Sequence, residues 1–236
     1  MYNLIIAIAA ALFTAGTVKL AGFSFIAAIV PSLVVFLGSY VLLARRIAKL
    51  LQAIGKSAEE ELMKQRFPQA IKIFEKGFAY QRWQFFVSNE IHANIGMLHY
   101  VAQEFDKARP NLRKSLKQNW LARAMLGAGY FRDKDYSEME TSFEEAVKAG
   151  KKEGLAWSAY AWCLDKSGQR DKALKVMARA VEANPTDERL KANLTALQND
   201  KKIKMKSYSP QWYQFHLEKP PQEFGYGGRR VMFQRR

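Results

Sequence analysis

The chain has 236 residues, of which 49% are hydrophobic and 25% charged, with a formal net charge of +15. That size bounds one compact domain or two small ones and excludes a large multidomain enzyme. The single cysteine, Cys163, excludes an intramolecular disulfide framework and a four-thiolate zinc site.

The charge is unevenly placed. Residues 1–44 hold one charged side chain, Lys19, and the net charge divides as +1 on residues 1–44, +8 on 45–199 and +6 on 200–236. This pattern reads as a membrane-embedded end joined to a basic soluble end.

From Tyr2 to Leu43 the sequence is almost wholly apolar. As one straight helix these residues would span about 63 Å, twice the hydrocarbon thickness of a bilayer. The natural break is Gly16-Thr-Val-Lys19-Leu-Ala-Gly22, since a lysine costs about 2.5–3.5 kcal/mol at mid-bilayer but little at an interface. A hairpin of two transmembrane spans is therefore expected over 1–44, the first from about Tyr2 to Val18 and the second from about Phe23 to Leu43, bent at Pro31. No cation precedes the apolar run and a second apolar segment follows at once, so an anchor is preferred to a cleavable signal peptide. Arg45, Arg46 and Lys49 follow the second span and mark a membrane-surface cluster that predicts a cytoplasmic C-terminal part.

Beyond the spans, four short strings recur: Gln65-Arg-Phe-Pro-Gln-Ala70, Gln103-Glu-Phe-Asp-Lys-Ala108, Lys134-Asp-Tyr-Ser-Glu-Met139 and Gly168-Gln-Arg-Asp-Lys-Ala173, spaced by 38, 31 and 34 residues. Each sits between two amphipathic segments of about a dozen residues. After the strings come Phe74 and Gly77, Leu112 and Ser115, Phe143 and Ala146, and Met177 and Ala180, always four and then three residues on. Large residues alternating with small ones at helical spacing let two antiparallel helices approach closely. Trp120 and Gly154 open the last two copies, Trp157 and Ala161 follow in the fourth, and Pro185 closes it.

With these residues the sequence resembles the tetratricopeptide repeat family. The resemblance implies an all-α, right-handed superhelical α-solenoid of about four helix pairs, at about 51–84, 89–119, 120–153 and 154–187, within a domain of 45–199. The second copy is three residues short, which predicts a tightened connection. Leu190, Leu194 and Leu197 predict a capping helix over Asp187–Gln198. Ile47, Leu50, Leu51 and Ile54 continue the helical period from the second span into the first repeat, with Gly55 as a hinge.

The family binds partners on a concave surface. Its groove positions project onto Glu90, Asn94, Met97 and Tyr100 in the second copy. In the third they are Leu121, Met125, Ala128, Phe131 and Arg132, and in the fourth Leu155, Ser158, Trp162 and Lys166. The family's carboxylate clamp needs paired lysines, asparagines and an arginine; only Asn94 matches, so an amphipathic helix or extended aromatic peptide suits this groove better.

Signals for chemistry are sparse. His92 and His99 share a predicted face but have no clustered cysteine or carboxylate nearby in sequence, so they read as packed histidines and not metal ligands. Cys163 reads as a buried thiol. Gly225-Tyr-Gly-Gly228 lies in a proline- and arginine-rich tail, not between a strand and a helix. No enzyme, metal or cofactor is inferred.

The tail over 200–236 interleaves Lys201, Lys202, Lys204 and Lys206 with Tyr208, Trp212, Tyr213 and Phe215, then ends in Arg229, Arg230, Phe233, Arg235 and Arg236. Docking on the protein's own solenoid or a partner, contact with anionic headgroups, binding of single-stranded nucleic acid and plain disorder are the readings, the first being preferred and nucleic acid disfavoured. The expected function is a membrane-anchored, cytoplasm-facing adaptor or scaffold whose groove binds a peptide segment or helix of a membrane-associated protein, with membrane lipid as a second partner. The alternative is an assembly subunit of an integral membrane complex acting through its hairpin, where Gly16, Gly22, Ser24, Gly38 and Ser39 would permit close packing. A bacterial inner membrane is the expected location, as no eukaryotic sorting signal is seen.

Overall fold

The computed structural model describes residues 1–221, all of whose regular elements are helical. Gly225–Gly228 and the terminal cations Arg229, Arg230, Arg235 and Arg236 lie outside the described residues. The chain forms two compact units, Met1–Ile91 and a second beginning at His92.

The first unit opens with α1 (Tyr2–Leu20) and α2 (Phe25–Met63). Gly22, at φ +87°, makes the turn between them. Ser24 then caps α2, its hydroxyl accepting from the Ala27 N–H at 3.3 Å. Lys19 falls in the last turn of α1, where a cation faces the negative end of the helix dipole. Both helices are long and apolar enough to cross a membrane. Large apolar side chains along them, among them Leu12, Phe13, Ile26 and Val34, are exposed, the reverse of a soluble core helix. In the apolar stretch the fully shielded residues are Asn3, Ala7 and Ala28.

Helix α2 runs 39 residues without a break, carrying Pro31 inside it and passing through Gly55 as helix. Its C-terminal half changes from apolar to amphipathic, burying Ile47, Ala58 and Leu62, and packs on α3 (Phe67–Glu75) as the first helix pair. A 3₁₀ turn over Lys76–Tyr80 follows. Gly77 is needed there, because a β-carbon would stand 2.9 Å from Ile91 Cδ1.

The second unit contains α4 (Val87–Val101) from His92 onward, α5 (Phe105–Arg113), α6 (Trp120–Arg132), α7 (Tyr136–Ala149), α8 (Gly154–Lys166), α9 (Arg170–Ala183) and α10 (Glu188–Gln198). The recurring strings are the intrapair turns. Each begins with a left-handed residue, Gln65, Gln103, Lys134 or Gly168, at φ between 59° and 79°. In each, that residue's N–H returns to a carbonyl three back and the next N–H to one five back, as in Lys134 to Phe131 and Asp135 to Tyr130. This is the two-bond helix C-terminus that satisfies orphan carbonyls. Asp200, at φ 56°, repeats the same bonding after α10.

Large and small residues meet as the spacing requires. A β-carbon on Gly127 would stand 2.7 Å from the Phe143 ring, and one on Gly96 would stand 2.9 Å from the Leu112 main-chain nitrogen. Phe143 stacks on Tyr160 of the next pair, centroids 5.3 Å apart and planes 8° apart. Arg179 of α9 grips Glu144 of α7 through two bonds of 2.7 and 2.9 Å.

The short second copy is accommodated differently from expectation. Its connection to α6 is a loop over 114–119, and the shortening falls on α5, nine residues against fourteen in α7 and α9. Pro110 near the end of α5 lacks an N–H for the helix ladder, and the helix stops at Arg113. The buried Arg123 guanidinium then holds the loop by donating to the Ser115 carbonyl. The capping helix forms as predicted, with Asp187 as its N-cap and Leu190 and Leu197 buried.

Candidate partner-binding groove

The first helices of the pairs in the second unit, α4, α6 and α8, line one concave face, and the chain's own C-terminal segment lies along it. After α10 the chain reverses. The Lys204 N–H donates to Asn193 Oδ1 at 2.9 Å, fixing the segment against the cap. Ile203 and Met205 are buried, and the Tyr208 ring then meets α8. Ser158 Oγ and the Tyr208 hydroxyl are 3.0 Å apart. A β-carbon on Gly154 would stand 3.1 Å from that same hydroxyl, so α8 starts with glycine where the tyrosine arrives. Arg189 covers the tyrosine ring from the cap side, 4.6 Å from its centroid.

A short 3₁₀ helix over Gln211–Phe215 carries the segment across the middle. Trp212 and Phe215 are both 0% exposed. Trp212 meets Trp162 edge to face, centroids 5.2 Å apart, and Trp162 meets Phe131 in the same way at 5.7 Å. The Trp212 indole N–H is satisfied by Glu218 at 2.7 Å, so its polar edge is not stranded. At the far end the Tyr100 hydroxyl donates to the Phe215 carbonyl at 3.0 Å. His216 Nε2 donates to the Val101 carbonyl at 3.0 Å while its ring packs on Tyr100 and Phe105. Burial pushes the phenol pKa values of Tyr100 and Tyr208 up, as expected for hydroxyls held neutral in an apolar groove.

Of the residues expected to line the groove, Tyr100, Ser158 and Trp162 touch the segment through the contacts above. Phe131, half-buried, joins through Trp162, and the exposed Lys166 and Arg132 lie over the rings of Trp162 and Phe105 at 5.5 and 3.4 Å. Met97, Met125, Ala128 and Leu155 are buried. Asn94, Met97 and Leu121 make no hydrogen bond or ring contact with the segment among the described residues. Val101, Gln103, Phe105, Gly154 and Asn193 also meet the segment and lie outside the family's groove positions. Gln103 and Phe105 belong to a recurring turn string, which was the available signal. Beyond His216 an open cavity of about 330 Å³ remains, lined by Tyr100, Gln103, Phe105, Met125 and Arg132 among others.

The remaining candidates are accounted for locally. His92 Nδ1 pairs with Asn111 Oδ1 at 2.8 Å and His99 Nδ1 with Glu104 at 2.6 Å, so the two rings serve different partners. The hydrogen bond from His99 holds Glu104 below the usual carboxylate range. Cys163 is fully buried, which pushes its thiol pKa up and away from nucleophilic use. Arg45, Arg46 and Lys49, on α2 in the first unit, are all exposed.

Antiparallel helix pairs joined by one repeated turn, with the chain's own C-terminal segment held against α4 and α8, define an α-solenoid of helical repeats. Residues 130–197 match the tetratricopeptide repeat family model, within a helical array preceded by two long apolar helices. A solved structure described as MamA RS-1 ArsTM double mutant aligns over 72% of this chain and 93% of its own, at 18% identity and a TM-score of 0.48. No curated protein matches the chain.

Proposed function

We propose that the protein is a membrane-anchored scaffold that presents a tetratricopeptide-repeat groove to the cytoplasm and captures an aromatic peptide segment of a membrane-associated partner protein. The observation that carries this reading is the groove's occupant. Trp212 is wholly buried against Trp162, and Tyr100 bonds to the segment's main chain, so the surface accepts an aromatic peptide, here held as a short 3₁₀ turn. The chain's own segment acts as a stand-in ligand that a partner must displace or extend. Support for anchoring comes from α1 and α2, whose exposed apolar lengths suit a hairpin, and from Arg45, Arg46 and Lys49 for the orientation. Anchoring concentrates the groove with membrane-bound partners, so modest intrinsic affinity suffices.

The test is photocrosslinking from position 131 in native membranes, with identification of the captured protein. That same protein should be captured more efficiently when residues 203–236 are deleted and lost in an Arg132→Glu, Lys166→Glu variant, each shown by circular dichroism to remain folded. Capture unchanged by both alterations would dismiss the groove as the binding surface.

A further inference from the structure

The first unit carries an exposed aromatic loop at the open end of the apolar hairpin. The main-chain N–H groups of Tyr2 and Asn3, orphans at the start of α1, donate to the carbonyls of Arg82 and Trp83 at 2.9 and 3.2 Å. The Tyr2 and Trp83 rings meet edge to face, centroids 5.4 Å apart. These contacts fix the loop to the first turn of α1. Because the antiparallel helices rise equally per residue, that turn lies roughly level with Leu43–Arg46 of α2. Tyr2, Trp83 and Arg82 thus share a level with Arg45 and Arg46, with Lys49 one turn further on. Tyrosine, tryptophan and cations at the end of an apolar span are the side chains that settle at a bilayer interface.

The loop then turns outward. Phe85 is 42% and Phe86 63% exposed, two adjacent large apolar rings that face outward in part. Phe86 has φ +66°, a left-handed conformation that a bulky aromatic rarely adopts. The backbone holds this conformation although Val87, the next residue, is buried. Exposed aromatic rings beside exposed cations match an anionic lipid surface, with apolar groups at the acyl boundary and basic groups among the headgroups.

We propose that Arg82–Phe86 is a second membrane contact, inserting Phe85 and Phe86 shallowly into an anionic bilayer beside the hairpin while Arg82, Arg45, Arg46 and Lys49 engage its headgroups. The contact rests on the hairpin spanning the membrane. Its consequence is that the C-terminal half of α2 and the α3 helix packed on it are held close to the bilayer.

The full-length protein, with Cys163→Ala, is placed in nanodiscs of 70% phosphatidylcholine and 30% phosphatidylglycerol, carrying a polarity-sensitive fluorophore on Phe86→Cys or, separately, on Leu33→Cys. Lipids brominated at shallow or deep acyl positions act as quenchers. Both labels should be quenched, position 33 best by deep bromines and position 86 best by shallow ones. Replacing phosphatidylglycerol with phosphatidylcholine should reduce quenching at 86 at least twofold and leave 33 unchanged. Quenching at 33 with none at 86 overturns the loop contact and leaves the hairpin intact. Absence of quenching at both overturns the hairpin and the contact together, and quenching at 86 indifferent to lipid charge overturns the headgroup role. A Phe85→Glu variant labelled at 86 and unfolding at the parent temperature should lose the quenching; if it does not, the wedge is overturned.

Discussion

The Tyr100 hydroxyl donates to the main-chain carbonyl of Phe215 at 3.0 Å, across 115 residues of sequence and in a fully buried setting. This bond and the Trp162–Trp212 contact make the C-terminal segment a part of the second unit's core. Trp212→Ala should therefore behave as a core deletion, costing about 3–5 kcal/mol of stability. Differential scanning calorimetry and proteolysis of the segment should both report the loss. A change below 1 kcal/mol would mean that the segment contributes little to folding.

Docking should also fail at alkaline pH. Burial raises the phenol pKa of Tyr100, and burial likewise raises that of Tyr208, with Ser158 pulling in the opposite direction. Both groups are better held neutral when docked than when free. Their contribution is complete below an undocked phenol pKa of about 10 and falls as the pH climbs past it. Tryptophan fluorescence should show the segment loosening above that point, less steeply in a Tyr100→Phe, Tyr208→Phe variant. Identical alkaline profiles for the two proteins would remove the tyrosines from the explanation.

The turns make a separate prediction. Gln103 and Lys134 adopt left-handed backbone at φ 65° and 62°, where Gly168 stands at 79° in the equivalent place. A side chain in that conformation costs about 1–2 kcal/mol, partly offset by glycine's greater entropy when unfolded. Lys134→Gly should stabilise by about 0.5–1 kcal/mol and Gly168→Ala should destabilise by a similar amount. Urea titration monitored by circular dichroism measures both, and a destabilising Lys134→Gly would show that its side chain matters more than its backbone.

Two glycines should differ in how they can be rescued. At Gly127 the obstruction is the Phe143 side chain; at Gly96 the nearest atom is the Leu112 main chain. Each alanine substitution should cost about 1–3 kcal/mol by overpacking. Phe143→Leu should recover part of the loss in Gly127→Ala, whereas Leu112→Val should recover little in Gly96→Ala, because no side-chain change moves a backbone nitrogen. Thermal midpoints of the four proteins decide the point, and equal rescue at both sites would contradict it.

Much of the architecture is legible in local patterns. The recurring strings locate all four intrapair turns, and the Gly127–Phe143 contact follows from small and large residues at helical spacing. The left-handed conformation at Gln65, Gln103 and Lys134 is not legible, because neither glutamine nor lysine signals it. Loop 114–119 also escapes the spacing argument: a three-residue deficit does not say whether a helix or a connection is shortened, and Pro110 and the Ser115–Arg123 bond decide it together. Phe105 and Val101 are not legible as groove residues because they meet His216, whose path along the groove no local pattern encodes.

By itself the sequence determined the all-helical class, the apolar hairpin, the repeat period and the capping helix, since each follows from side-chain periodicity along neighbouring residues. It also marked Tyr208, Trp212 and Phe215 as too aromatic to stay fully solvated. Only the tertiary structure decided where those rings go. Their burial depends on a concave surface assembled from Tyr100 on one pair and Ser158 and Trp162 on another, and no local pattern encodes the fit of a segment to a surface built from residues up to 115 positions away.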